Sequence, residues 1–164
     1  MWDYTVGDII DSLESYCAQK HIDTKATYVW ICCVCNNRHR VGESVPFTRF
    51  HEIFHDTVVG VGHILAMMAP WDAPLYLTRV WCIFEIHTAN TADDVKTEII
   101  MPPREKDKML ASLNDYNNLV KALSATHIES AEASKELDRE NIMKLVNKTT
   151  GEAPRLNSDM NTLL

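Results

Sequence analysis

Glu85 lies in the run Leu77-Thr78-Arg79-Val80-Trp81-Cys82-Ile83-Phe84-Glu85-Ile86, a single carboxylate in an otherwise almost wholly apolar stretch of helical length. If Thr78 caps that helix, the neighbours of Glu85 one turn away are Trp81, Cys82, Thr88 and Ala89, and no lysine or arginine stands where it would pair along the helix. Burying an unpaired carboxylate is costly enough that the group takes up a proton instead. Glu85 is therefore expected either to be hydrogen-bonded by distant backbone or to open onto a cleft, and a perturbed acid in a cleft is a candidate functional group.

A second set of chemically capable residues is His51-Glu52-Ile53-Phe54-His55. On a helix this spacing puts both imidazoles on one side at zinc-binding distance, with Glu52 able to act as general base. The further His-x-x-Gly-x-x-His extension is missing, since the glycines that follow are Gly60 and Gly62 and the next histidine is His63. The apolar stripe of the same helix lies one step round from the two histidines, which suits a surface helix with a polar flank. No metal site is expected, with a zinc peptidase at His51 and His55 as the alternative. Cys32 and Cys35 have a C-x-x-C spacing near His39, but on a strand residues three apart point to opposite faces, so they read as small buried thiols. Arg38, Arg40 and Arg49 gather around His39 and offer charge for a small anionic ligand.

The elements that must position these groups follow from periodicity. Val6, Ile9, Ile10, Leu13, Tyr16 and Cys17 fall on one helical face behind Thr5, predicting a helix to about Gln19. Tyr28 to Cys35 is a continuous β-branched, aromatic and small apolar run, which predicts a central parallel strand covered on both faces. Asn36 to Pro46 reads as a polar loop. The stripe Phe47, Phe50, Phe54, Val58 and Val61 predicts a helix ended by Gly60 and Gly62, which release a strand at Ile64. After the loop Trp71 to Tyr76 come the helix carrying Glu85, a strand over Val95 to Met101 stopped by Pro102-Pro103, and a helix from Arg104 to Leu123. A short strand opens at Ile128, and an amphipathic helix spans Asp138 to Val146. This alternation predicts right-handed crossovers and an α/β fold, a parallel sheet with helices on both faces.

Composition narrows the class. A chain of 164 residues with 46% hydrophobic residues has a single-domain length and enough apolar mass for a sizeable core. The formal charge of −7 argues against a general nucleic-acid partner, because phosphate contacts need a basic surface. No stretch reaches the length of a membrane span, and five cysteines, an odd number crowded around Cys32, Cys33 and Cys35, do not form a secreted disulfide framework. The expectation is a soluble, cytoplasmic protein without a membrane partner.

Trp81-Cys82-x-x-Glu85-Ile86 after a strand and a short loop resembles the third helix of Toll/interleukin receptor (TIR) domains, and more particularly the TIR-like domains of algal and other protist proteins. The pieces Tyr28-Val29-Trp30-Ile31-Cys32-Cys33-Val34-Cys35-Asn36-Asn37, Ile64 to Trp71 and Leu77 to Ile86 match in order, over roughly the first two thirds of the chain. The resemblance implies a flavodoxin-like parallel sheet and a single domain over 1–164. It also implies that the first, central strand is absent, because the sequence opens directly on what would be the first helix.

The resemblance further implies an NAD⁺ nucleosidase acting in signalling, with Glu85 at the family's catalytic glutamate and NAD⁺ as substrate rather than a resident cofactor. Its cleft would lie between Asn36–Pro46 and Trp71–Leu77, with Arg38 or Arg40 meeting the pyrophosphate. Trp71 and Trp81 are the aromatic candidates for binding the nucleotide there, although Trp30, Trp71 and Trp81 read more readily as core and rim packing than as a ligand platform. The other function the family implies is assembly: self-association or docking on other TIR-like domains through Asn36 to Pro46, with Glu85 a mere anchor for its helix.

Overall fold

The structure, a computed structural model, describes residues 4–35, 47–92, 94–112, 130–133 and 136–150, with the backbone alone at 32, 33, 50 and 148–150. Helix α1 runs Val6–Lys20, with Thr5 as its cap accepting from the Asp8 N–H, and it ends at His21 in the left-handed conformation. A single helical turn, α2, follows at Cys32–Cys35, then α3 at Phe47–Val61, β1 at His63–Met67, a 3₁₀ turn at Leu75–Thr78, and α4 at Val80–Thr91. Strand β2 covers Lys96–Ile100, α5 covers Pro103–Ser112 and the last described helix, α6, covers Glu136–Thr150.

The two strands pair in parallel, with His63 opposite Lys96 and Met67 opposite Ile100. Side chains alternate along β1, and each face meets a different helical layer. Ile64, Ala66 and Met68 join the larger core with Phe54 and Val58 of α3, Val80, Ile83 and Ile86 of α4, and Ile142 and Val146 of α6. Leu65 and Met67 turn to the other side, where Ile9, Leu13 and Tyr16 of α1 cover them. Helix α4 is apolar almost all round and is buried accordingly, with Ile83 and Ile86 fully inaccessible. The result is an α/β arrangement with helices on both faces of a small parallel sheet.

Several sequence expectations are corrected here. Tyr28 to Cys35 is no strand: 28–31 has no ladder partner among the described residues, and the chain then coils, with the Val34 and Cys35 N–H groups both donating to the Ile31 carbonyl. An apolar run becomes a strand only where a neighbouring backbone accepts its hydrogen bonds. Cys35 is accordingly exposed rather than packed. Thr78 does not cap α4. Its hydroxyl donates back to Leu75 inside the 3₁₀ turn, and Arg79 occupies the cap position without a side-chain capping bond. Instead, residue 132 clamps the start of α4: the Glu132 N–H donates to the Thr78 carbonyl, and the Val80 N–H donates to the Glu132 carbonyl. Gly60 lies within α3, and Gly62, at φ +69°, alone makes the exit into β1. The expected segments 36–46, 113–123 and 128, with Arg38, His39 and Arg40, fall outside the described residues, as do 1–3 and 151–164.

One polar cluster ties α1 to the sheet. The Glu98 carboxylate of β2 accepts from the Tyr16 hydroxyl and from Lys20 Nζ at 2.5 Å, and Lys96 Nζ and His63 Nε2 each lie 3.0 Å from it. Lys20 and Tyr16 hold this carboxyl down at about 2. A depressed carboxylate contributes stability that is present above its unfolded pKa and lost as pH falls through the folded one. Unfolding midpoints measured across pH 4.5 to 2 should therefore fall, and Glu98→Gln should flatten that decline while costing about 1 kcal/mol at neutral pH, since solvent screens the exposed lysines.

Candidate active site around Glu85

Glu85 is half-buried on α4, and its partner is a tyrosine rather than the backbone. Tyr76, in the 3₁₀ turn, donates its hydroxyl to Glu85 Oε2 at 2.5 Å. The turn itself is fixed from α1's side: Tyr4 donates its hydroxyl to the Met67 carbonyl at 2.7 Å and accepts from the Tyr76 N–H at 2.9 Å. A relay of hydrogen bonds thus links the end of β1 to the carboxylate. Buried tyrosine hydroxyls need such partners, and that requirement is the one signal that could have pointed to Tyr76 in advance.

The carboxylate lines a cleft of about 370 Å³. Ile9, Leu13 and Tyr16 of α1 form one wall, Thr57, Val58 and Val61 of α3 another, and His63 to Leu65 of β1 the floor, while residues 27–31 make the rim. Among the described residues lining it, Glu85 is the one carboxylate and there is no lysine or arginine. Burial pushes the Glu85 carboxyl up to about 7, against the opposing pull of the Tyr76 hydrogen bond and the Arg79 charge. The group is poised between its protonated and ionised forms at neutral pH. Because the Tyr76 bond favours the ionised form, Tyr76→Phe should move any pH midpoint set by Glu85 upward, as read from a pH–rate profile or a carboxyl titration.

The structure does not gather the other sequence candidates at this cleft. Trp81 packs into an aromatic cluster with Phe47, Phe54 and Phe84, at ring-centroid distances of 6.0, 5.4 and 6.1 Å. Trp71 stands in the turn after β1, where its backbone N–H donates to Glu105 Oε2 at 3.0 Å. Although burial opposes it, Lys108 and that N–H hold the Glu105 carboxyl below its ordinary value. Arg104 of α5 pairs with Asp8 of α1 at 2.6 Å. Of the loop 71–77, Tyr76 alone lines the Glu85 cleft, which opens along β1 and α1.

His51 and His55 stack with ring centroids 6.5 Å apart on α3, beside a separate groove lined by Phe47, Thr48, His51, Glu52, Asn141, Lys144 and Leu145. His51 packs on Phe84 at 4.8 Å, and burial, with His55 adding, pushes its pKa down. Glu52 pairs with Arg49 at 3.2 Å. Among the described residues no three His, Cys, Asp or Glu side chains converge as a metal set. No helix among them is long and apolar enough to cross a membrane.

Comparison with protein-family profiles, with curated proteins and with solved structures gives no match. Function has to be argued from the cleft itself.

Proposed function

We propose that this chain is a TIR-like domain whose Glu85 cleft cleaves the nicotinamide–ribose bond of NAD⁺ by hydrolysis, in a signalling role. The observation that carries this reading is a lone carboxylate with a near-neutral pKa, oriented by a tyrosine hydroxyl, facing a cleft whose walls are mostly apolar. When the bond from ribose C1′ to the nicotinamide nitrogen breaks, its electron pair leaves with nicotinamide and the ribose becomes an oxocarbenium ion. An ionised carboxylate beside the ring stabilises that charge, and apolar surroundings strengthen the effect by excluding competing water dipoles. Tyr76 holds Glu85 Oε2 in place, so little reorganisation is required as charge develops. Water then adds at C1′ and releases a proton.

The rate should rise with pH through about 7, as Glu85 ionises. The test is to incubate the purified protein with NAD⁺ and follow free nicotinamide by chromatography. Release in proportion to protein is expected, and a folded protein that releases none over prolonged incubation rules the reading out.

A second reading is favoured by one specific feature. The described walls of the cleft carry no cation to meet a pyrophosphate, which suits a non-catalytic assembly module docking on its own kind or on other TIR-like domains. Concentration-dependent self-association without nicotinamide release would select it.

A further inference from the structure

We propose that Tyr4 is a positioning residue for the Glu85 site: its hydroxyl fixes where Tyr76 stands and thereby how Tyr76 holds the carboxylate. All three side chains line the same cleft. Tyr4 sits just before the Thr5 cap of α1, so its place follows from how that helix is tied down. The Asp8 N–H donates to the Thr5 hydroxyl at 3.1 Å, and the Asp8 carboxylate pairs with Arg104 of α5 at 2.6 Å. The Tyr4 ring then packs on the small cluster of Met67, Ala69 and Ile100 at the ends of the two strands.

A phenol hydroxyl has one proton to give and lone pairs with which to receive. Tyr4 gives its proton to the Met67 carbonyl and receives the Tyr76 N–H, a residue 72 positions away in sequence. In a 3₁₀ turn the first N–H groups have no acceptor within the turn. Pro74 at the cap makes no side-chain bond, the Leu75 N–H goes to the Ala69 carbonyl at 3.1 Å, and the Tyr76 N–H goes to Tyr4 at 2.9 Å. Residue 76 is thus anchored at its backbone by Tyr4 and at its side chain by Glu85, so the first bond determines how well the second is aimed. The Leu75 bond and the Glu132 clamp hold the two ends of the turn by themselves, so loss of the Tyr4 hydroxyl should slacken residue 76 without dismantling the turn. Burial pushes the Tyr4 hydroxyl well above its ordinary pKa, which keeps it a donor throughout the range where Glu85 titrates. The consequence for rate rests on the nucleosidase reading; the coupling of Tyr4 to Glu85 does not.

The test is a carbon NMR titration of the Glu85 carboxyl, run without substrate on the parent, Tyr4→Phe, Tyr76→Phe and the double variant. Tyr4→Phe should raise the Glu85 midpoint by about 0.3–1 on the pH scale, because a slackened Tyr76 favours the ionised carboxylate less. Tyr76→Phe should raise it at least as far, and adding Tyr4→Phe to that variant should move it no further, since no hydroxyl is left for Tyr4 to aim. The titratable groups that share the cleft, Tyr16, Cys17, Tyr28 and His63, and those acting on the pair from the start of α4, Arg79 and Cys82, are the same in every variant. In turnover, Tyr4→Phe should lower kcat about 2- to 5-fold near pH 7 and recover by about pH 9, a pH dependence that a merely structural tie would not produce. A parent that releases no nicotinamide removes the nucleosidase reading and leaves the titration to decide this one. Equal midpoints in the parent and Tyr4→Phe overturn the proposal and make Tyr4 only a tie between α1 and β1, as does a shift of the same size with and without the Tyr76 hydroxyl. If Tyr4→Phe fails to fold, 3,5-difluorotyrosine placed at position 4 keeps the ring and weakens the hydroxyl as an acceptor; it should also raise the midpoint, and an unchanged midpoint overturns the proposal.

Discussion

Glu85→Ala should lower nicotinamide release by about 10²- to 10³-fold, the loss seen when a group that stabilises transition-state charge is removed. The effect should fall on kcat, since the carboxylate acts on charge that develops after binding. The fold should survive. Glu85 faces an open cleft, so its removal leaves no unpaired buried charge, and the loss of the acceptor for the buried Tyr76 hydroxyl should cost about 1–3 kcal/mol. Burial raises its folded pKa above the unfolded value, so the group contributes stability that is fully present below about 4.3 and lost as pH rises through about 7. Glu85→Gln does not ionise and should thus gain on the parent protein as pH climbs across that window. A variant that unfolds instead would identify Glu85 as a structural anchor and remove the basis for its catalytic role.

Ile86→Ala should destabilise the protein by about 2–5 kcal/mol, the range for truncating a fully buried aliphatic side chain. Ile86 is completely inaccessible on the helix next to Glu85, within the core that joins α3, α4 and α6 to the sheet. Chemical denaturation should show a lower midpoint with a similar slope, because the loss comes from a cavity rather than from a change in exposed surface. The two neighbouring residues thus make different predictions: 85 governs rate at the smaller cost in stability, and 86 governs stability with little effect on rate. Equal stability loss at both positions would mean that the cleft side of α4 is core.

The parts of the fold legible in the sequence are those whose hydrophobic period points at a single layer. Thr5 and the face Ile9, Leu13, Tyr16 foretold α1, and Phe54 with Val58 foretold the buried side of α3. The strand from Ile64 to Met67 stood out as a short apolar run released by Gly62, and the one over Lys96 to Ile100 was marked by the Pro102-Pro103 stop behind it. Tyr28 to Cys35 failed for the reason such runs often fail. Continuous apolarity records burial in some context but not whether a neighbouring backbone is there to pair, and among the described residues β1 pairs with β2 alone. The site was half legible. Spacing showed that no lysine or arginine stands one turn from Glu85, whereas Tyr76, itself held by Tyr4, reaches it from a turn whose path no local pattern encodes. Trp81 looked like a companion of Glu85 in sequence, yet it packs among Phe47, Phe54 and Phe84 and does not line the cleft.

The titration of Glu85 itself is the most direct measurement of the claim that its carboxylate is set for work in the cleft. With side-chain carboxyl carbons labelled and Glu85→Gln used to assign the signal, carbon NMR across pH 3 to 9 should show the Glu85 resonance moving with a midpoint near 7. The pH–rate profile for nicotinamide release should share that midpoint, and Tyr76→Phe should shift both upward together. A Glu85 midpoint in the ordinary carboxylate range, or a rate profile indifferent to it, would contradict the account.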